Sequence, residues 1–297
     1  MPKSFYDKID NYKDTVFAII GFANLFRYDD NSKKMKPEVK IGQGRTFVTS
    51  SENKRSPNTS VTPDLCVQLD EERGIIAELK ISFPKEQEHW MDDFNQLLKY
   101  DDDMTNWWST DKKLSKHSIV LLPHQSRGAS VAEFYKNLCD TGQIHFDRPF
   151  SIVEFNRSSQ GKEYFFFRKY FGEVDAPKQV VERLKEGVSV PMEKLMLHYE
   201  KHKIYDSKPP MPYLLYLIWE NVILRKVSDG IQFGRISKRS KIDISISVDE
   251  ITDELRENFS FKSLNHSNDK HQPKMPLREW VEEAINALVK FKYAERY

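Results

Sequence analysis

Apolar and polar positions alternate with period two from Leu65 to Ile81, in LCVQL and IIAELKI, and the two runs flank a polar cluster of Asp70, Glu71, Glu72, Arg73 and Gly74. Runs rich in β-formers around such a cluster predict a β-hairpin. With the pivot near Glu72, residues whose numbers sum to about 144 lie opposite each other. Asp64, Cys66, Ile76, Glu78 and Lys80 then share one face, while Leu65, Val67, Leu69, Ile75, Ala77, Leu79 and Ile81 share the other. The second face is continuously apolar and is the expected core face. Two carboxylates and an ammonium gather at one end of the hairpin on the opposite side. A cross-strand ion pair on an exposed face would also account for them.

The period then changes. In KEQEHWMDDFNQLLKY, residues Trp90, Met91, Phe94, Leu97 and Leu98 form one apolar stripe at helical spacing. Gln96 and Tyr100 stand four apart on the adjoining face. Elsewhere, KSFYDKIDNYKDTVFAIIGFANLF predicts a long helix, VKIGQGRTFVTS a strand-like segment and SSENKRSPNTSV a loop. HSIVLLPH predicts a buried strand, SVAEFYKNLC a helix, and PFSIVEFNRSSQGKEYFFFRKYF two strands about a Ser-Ser-Gln-Gly turn. The expected class is α/β, a mixed sheet flanked by helices.

Beyond residue 175 the texture is helical. KQVVERLKEGV reads as a connecting helix over 176–190, and 191–297 as a smaller domain. PYLLYLIWENVILRKV is an apolar helix, SVDEITDELREN opens with a capping-box pattern, and LREWVEEAINALVKFKYAERY is a third helix running into a strand-like end. Between the first two, GRISKRSK places Arg235, Lys238, Arg239 and Lys241 together, a candidate phosphate-binding insert. Glu279, Glu282 and Glu283 make the third helix acidic and a poor phosphate contact. His198 and His202 stand at i and i+4, but Glu200 is not in the H-E-x-x-H position and no third ligand accompanies them, so a surface pair is the better reading.

Composition narrows the class without deciding it. The 297 residues are long enough for two domains, with 31% charged and 39% hydrophobic residues and a net charge of +1. No apolar run reaches membrane-spanning length, and MPKSFYDKID lacks the apolar stretch of a secretory signal, so a cytoplasmic protein without a membrane partner is expected. Cys66 and Cys139 form no metal-binding or disulfide pattern. The near-neutral charge gives nucleic-acid binding no support of its own; Arg45, Lys54 and Arg55 could touch a phosphate backbone, but a solvated loop is the better reading of them.

The spacing of Pro63, Asp64, Glu78 and Lys80 resembles the motif of the PD-(D/E)XK nuclease superfamily, and Gln96 with Tyr100 resembles the Q-x-x-x-Y accessory motif of one of its branches. The resemblance covers about residues 1 to 170. It implies a restriction-endonuclease-like core and metal-dependent phosphodiester hydrolysis. Asp64, Glu78 and the Leu79 carbonyl would hold Mg²⁺, with Mn²⁺ as substitute, since Mg²⁺ binds hard oxygens and keeps several waters. Lys80 would reach the attacking water or the scissile phosphate, either as a charge or, with a lowered pKa, as the base. Gln96 and Tyr100 would position a water, a metal ligand or a phosphate. Many members carry an upstream acid, for which Glu38 is the first candidate and Asp14 and Asp30 the alternatives. The three C-terminal helices resemble a winged helix-turn-helix, which implies binding to DNA or to a protein partner, a homodimer included; a helical dimerisation domain is the competing reading. Together these imply an endonuclease acting on DNA, of the kind found in restriction, phage-defence and mobile-element systems. A non-catalytic nucleic-acid-binding or assembly subunit that uses the fold as scaffold is the alternative.

Overall fold

The computed structural model describes residues 5–29, 34–36, 38–50, 59–80, 87–108, 114, 116–124, 127–158, 164–191, 208–232, 244–259, 271 and 275–295. The chain divides into two compact units. One comprises 14–197 and 263–273, the other 1–13, 198–262 and 274–297.

The larger unit is α/β. Helix α1 (Phe5–Arg27) contributes its residues from Asp14 onward, and a short ribbon of β1 (Tyr28–Asp29) and β2 (Lys34–Met35) follows. Then come β3 (Lys40–Gln43), β4 (Phe47–Ser50), β5 (Thr59–Val61), β6 (Leu65–Gln68), β7 (Arg73–Lys80) and α2 (Trp90–Leu97). The second half adds β8 (Asp103–Thr105), β9 (Lys116–Pro123), α3 (Gly128–Asp140), β10 (Phe150–Ser158), β11 (Tyr164–Gly172), α4 (Lys178–Glu186) and β12 (Val188–Pro191). Seven strands form one sheet in the order β12-β11-β10-β9-β7-β6-β3, and β5-β4-β8 form a second. The large sheet is mixed: β7, β9 and β10 run parallel to one another, and the outer pairs are antiparallel. The connecting helix α4 forms as expected, and β12 after it is the edge strand of this sheet.

The hairpin forms as its pattern predicts, one residue earlier. Leu65 faces Ala77 and Gln68 faces Gly74, so paired numbers sum to 142. The even difference leaves every side chain on its expected face. Asp70 sets the turn: its Oδ1 accepts the Glu72 and Arg73 amides at 2.9 and 2.8 Å, and Oδ2 takes Arg73 Nε at 2.8 Å. This is the Asx-type closure that favours aspartate in turns.

Neither face of the hairpin is exposed, which rules out the alternative account of its charges as an ion pair on an exposed face. Residues Leu65–Gln68 and Gly74–Leu79 are all buried. Parallel pairing with β9 puts β7 inside the sheet, and parallel strands are covered on both sides. Cys66, Ile76, Ile119, Leu121, Phe150 and Ile152 pack in one cluster with Trp90, Phe94 and Leu97 of α2 and Val131, Tyr135 and Leu138 of α3. On the reverse face α1 covers the sheet, with Phe17 against Phe165 and Phe22 against Phe167. Helix α1 is apolar nearly all round between Val16 and Phe26, as a buried helix should be.

The smaller unit is helical. Helix α5 (Met211–Ile218) passes through a π turn at Trp219–Ile223 into α6 (Leu224–Gln232), followed by α7 (Val248–Phe259) and α8 (Arg278–Lys290). Leu214, Leu217, Ile218, Val222, Ile251, Leu255, Trp280 and Val281 are buried in it. The capping box at α7 is present: Ser247 Oγ accepts the Glu250 amide at 3.1 Å and the Glu250 carboxylate accepts the Ser247 amide at 2.9 Å. The strand-like end after α8 is a turn. Lys292 adopts φ 62°, and the amides of Lys292 and Tyr293 bond back to the carbonyls of Val289 and Leu288. This left-handed closure ends the helix and consumes the donors an extended segment would offer. Arg235, Lys238, Arg239, Lys241, His198 and His202, and likewise Lys54, Arg55 and Asp30, lie outside the described residues. Among the described residues no helix is long and apolar enough to cross a membrane.

Close packing at the start of β7 gives a test of this architecture. A Cβ on Gly74 would lie 2.6 Å from the Trp107 ring and 2.7 Å from Leu114. Both side chains are buried. Gly74→Ala should therefore destabilise the larger unit by about 1–3 kcal/mol, the usual cost of overpacking, read as a lowered urea midpoint with unchanged slope.

Candidate active site

The chemistry is concentrated where the β6–β7 ladder ends. The last paired residues are Leu65 and Ala77, and the next β7 amide on the β6 side, that of Leu79, bonds to the Asp64 carboxylate at 2.7 Å. Pro63 and Asp64 thus close the ladder with a side chain. In return the Asp64 amide donates to the Glu78 carboxylate. Each acid is thus held by a backbone amide of the facing segment, Asp64 by Leu79 and Glu78 by Asp64. Leu79 also presents a carbonyl here. The Lys80 carbonyl accepts the His124 amide from the β9 side at 3.0 Å, and successive residues of a strand turn their polar groups to opposite sides, so the Leu79 carbonyl points to the side of β7 where Asp64 lies.

Helix α2 supplies the rest. Gln96 Nε2 donates to Glu78 Oε1 at 2.6 Å, and Gln96 Oε1 accepts the Lys80 ammonium at 2.9 Å. Tyr100, in the 3₁₀ turn that extends α2, donates to Glu78 Oε2 at 3.0 Å. Lys80 lies 3.6 Å from Glu78 and 3.1 Å from Asp93. The turn is anchored from below by His117, whose Nε2 donates to the Tyr100 carbonyl at 2.7 Å. Burial, with the charge of Arg148 acting in the same sense, pushes His117 down to about 4, so its imidazole is neutral.

Five of the six side chains expected at the site, Asp64, Glu78, Lys80, Gln96 and Tyr100, come together here. Glu38 does not. Lys40 pairs with Gln68, so two residues earlier Glu38 falls level with the Asp70 turn, about 20 Å along β6 from Asp64 at ~3.3 Å per residue. It is also exposed. Asp14, the alternative, is buried on the reverse side of the sheet, near His124 at 4.0 Å and Arg157 at 3.6 Å. Arg45, a candidate phosphate contact, is 2% exposed, donates to the Asn106 carbonyl at 2.7 Å and stacks over Trp108. It is a core residue, drawn inward because guanidinium packs well on an aromatic face.

Two members escaped sequence reasoning. Asp93 stands three before Gln96 and seven before Tyr100 on the same helix face, a spacing that could have flagged it. His117 carries no local signal, since only the fold brings β9 under the turn.

Burial raises the Glu78 pKa, and the lowering effects of Lys80, Tyr100, the Asp64 amide and Gln96 offset that only in part. Burial also works against the Lys80 ammonium, but Glu78, Asp93 and Asp64 outweigh it and hold its pKa above the ordinary lysine value. Three carboxylates therefore surround one ammonium. Asp64, Glu78 and the Leu79 carbonyl are hard oxygen donors that fit a Mg²⁺ ion retaining several waters. Among the described residues no cluster of three or more His, Cys, Asp or Glu side chains is arranged to hold a metal, so such an ion would draw on backbone and water for its remaining ligands. Comparison with protein-family models, with curated proteins and with solved structures gives no match.

The Tyr100 hydroxyl is worth most to the ionised form of Glu78. A raised carboxyl pKa means that Glu78 favours the fold fully below the ordinary carboxylate range and loses that contribution as the pH rises through its folded pKa. Tyr100→Phe removes a donor to the anion and raises that pKa further. We expect a loss of about 1.5–3 kcal/mol at about pH 8, the worth of a hydrogen bond to a charged group. The loss should shrink as the pH falls through the folded pKa of Glu78, as urea titrations at several pH values would show.

Proposed function

We propose that the protein is a Mg²⁺-dependent nuclease with a restriction-endonuclease-like catalytic core and a C-terminal helical unit that binds DNA or a partner. The observation that carries this reading is the convergence of Asp64, Glu78, Lys80, Gln96 and Tyr100 at one strand end. Hydrolysis of a phosphodiester needs an in-line water and a counter-charge for the phosphoryl oxygens. Mg²⁺, or Mn²⁺ in its place, would be held by Asp64, Glu78 and Leu79 and would supply Lewis acidity and a more acidic water.

The chain's own groups account for the rest. Asp64 and Glu78 are fixed by backbone amides before substrate arrives, which limits reorganisation. Lys80, an ammonium among carboxylates, is suited to stabilising charge on the scissile phosphate and unsuited to acting as the base. Gln96 bridges Glu78 and Lys80 and fixes their separation, and Tyr100 orients the second Glu78 oxygen. DNA is the proposed substrate, with Arg235, Lys238, Arg239 and Lys241 binding its phosphates. The biological setting proposed is a cytoplasmic restriction, phage-defence or mobile-element system.

Cleavage of duplex DNA, single-stranded DNA and RNA with Mg²⁺ or Mn²⁺ tests the reading. Asp64→Ala, Glu78→Ala and Lys80→Ala should each lower cleavage by at least about 10²-fold, while DNA affinity changes little because these groups act on the transition state. Variants that cleave like the parent would exclude this centre. Neutralising the four basic residues should weaken DNA binding and flatten its salt dependence, by about 0.9 in log–log slope for each phosphate that the variant no longer neutralises. Unchanged binding at every salt concentration would move the DNA-binding surface elsewhere.

A further inference from the structure

We propose that Asp93 is a positioning residue that fixes the Lys80 ammonium over the end of β7, a role that rests on the nuclease reading above. The side chains of Asp93 and Lys80 are 19% and 18% exposed, and their charged atoms lie 3.1 Å apart. Lys80 has a flexible four-carbon stem, and an ammonium is a point charge with no directional fork to orient it. Its direction must come from its acceptors. Three converge on it: Gln96 Oε1 at 2.9 Å, Asp93 at 3.1 Å and Glu78 at 3.6 Å. Glu78 and Gln96 also bond to each other, so their geometry toward Lys80 is shared. Asp93 alone pulls from the first turn of α2, on a separate line. Remove it, and the ammonium retains acceptors only on the carboxylate side, where it would crowd the oxygens assigned to the metal. With Asp93 in place the charge is also drawn toward the first turn of α2, away from those oxygens.

A second role for Asp93 is easily separated from this one. Acidic residues in the first turn stabilise a helix through its dipole, and Asp92 is equally placed for that. Asp92 is exposed, so Asp92→Asn is the control.

The full-length parent, Asp93→Asn, Asp93→Glu and Asp92→Asn are compared in two measurements. In steady-state cleavage, Asp93→Asn should lower kcat about tenfold with KM within about twofold, since misplacing a catalytic group can cost up to ~10²-fold. Asp93→Glu should recover most of the loss, and Asp92→Asn should match the parent. In parallel, acetylation of Lys80 by acetic anhydride, followed by mass spectrometry, should run several-fold faster in Asp93→Asn than in the parent or Asp92→Asn. Unchanged kcat in Asp93→Asn overturns the proposal. A fall in kcat with unchanged Lys80 labelling also overturns it, because Asp93 then acts other than through Lys80. So does a kcat loss that follows the folded fraction alone and appears equally in Asp92→Asn. If the parent cleaves no substrate, the nuclease reading fails, and the labelling by itself decides whether Asp93 positions Lys80.

Discussion

A carboxyl group sits inside this molecule at Glu78, 5% exposed on a strand covered from both sides, and its neighbours are arranged to meet it. Burying an ionisable group is costly unless each of its oxygens finds a partner. Gln96 and the Asp64 amide, the Tyr100 hydroxyl and the nearby Lys80 supply those partners. Each comes from an element whose placement is fixed by apolar packing. Helix α2 presents Gln96 toward the sheet only because Trp90, Phe94 and Leu97 are pinned in the adjoining core. The turn at Tyr100 holds its line because His117 bonds its carbonyl. The polar cluster is thus a consequence of the core beside it.

The same constraint explains why the cluster lies at a strand end. Within the ladder every backbone group of β7 is committed to β6 or β9, and a charged side chain there would have no donors to draw on. Beyond the Leu65–Ala77 pair the ladder stops, so amides become available to side chains, and Asp64 and Glu78 take them. Open backbone beside buried carboxylates is also what a hard cation and a phosphate require, and on this the proposed nuclease chemistry rests. The negative excess around Lys80 would repel a polyanion without a cation between them.

Much of the architecture was legible in the chain. Period-two alternation marked the hairpin, and its faces survived a shift of the pivot because the shift was even. Helical stripes marked α2 and α3, and the capping box at Ser247 and Glu250 formed as spelled. Misreadings arose where a distant partner decides the outcome. Arg45 looked like a surface cation until Trp108 offered it a face. The segment after α8 looked like a strand, but a lysine in the left-handed region closed it locally.

By itself the sequence determined the local elements and the pairing of Asp64, Glu78 and Lys80, because those depend on spacing within one hairpin. It also placed Gln96 and Tyr100 on one side of the following helix. Only the tertiary structure decided which surroundings those residues meet. Pairing with β9 and the docking of α2 buried both faces of the hairpin, which is what raises Glu78. The register of β3 carried Glu38 to the wrong end of β6, and the packing of α2 brought Asp93 to Lys80. Strand neighbours and helix docking depend on contacts between segments far apart in the chain, and local spacing carries no record of them.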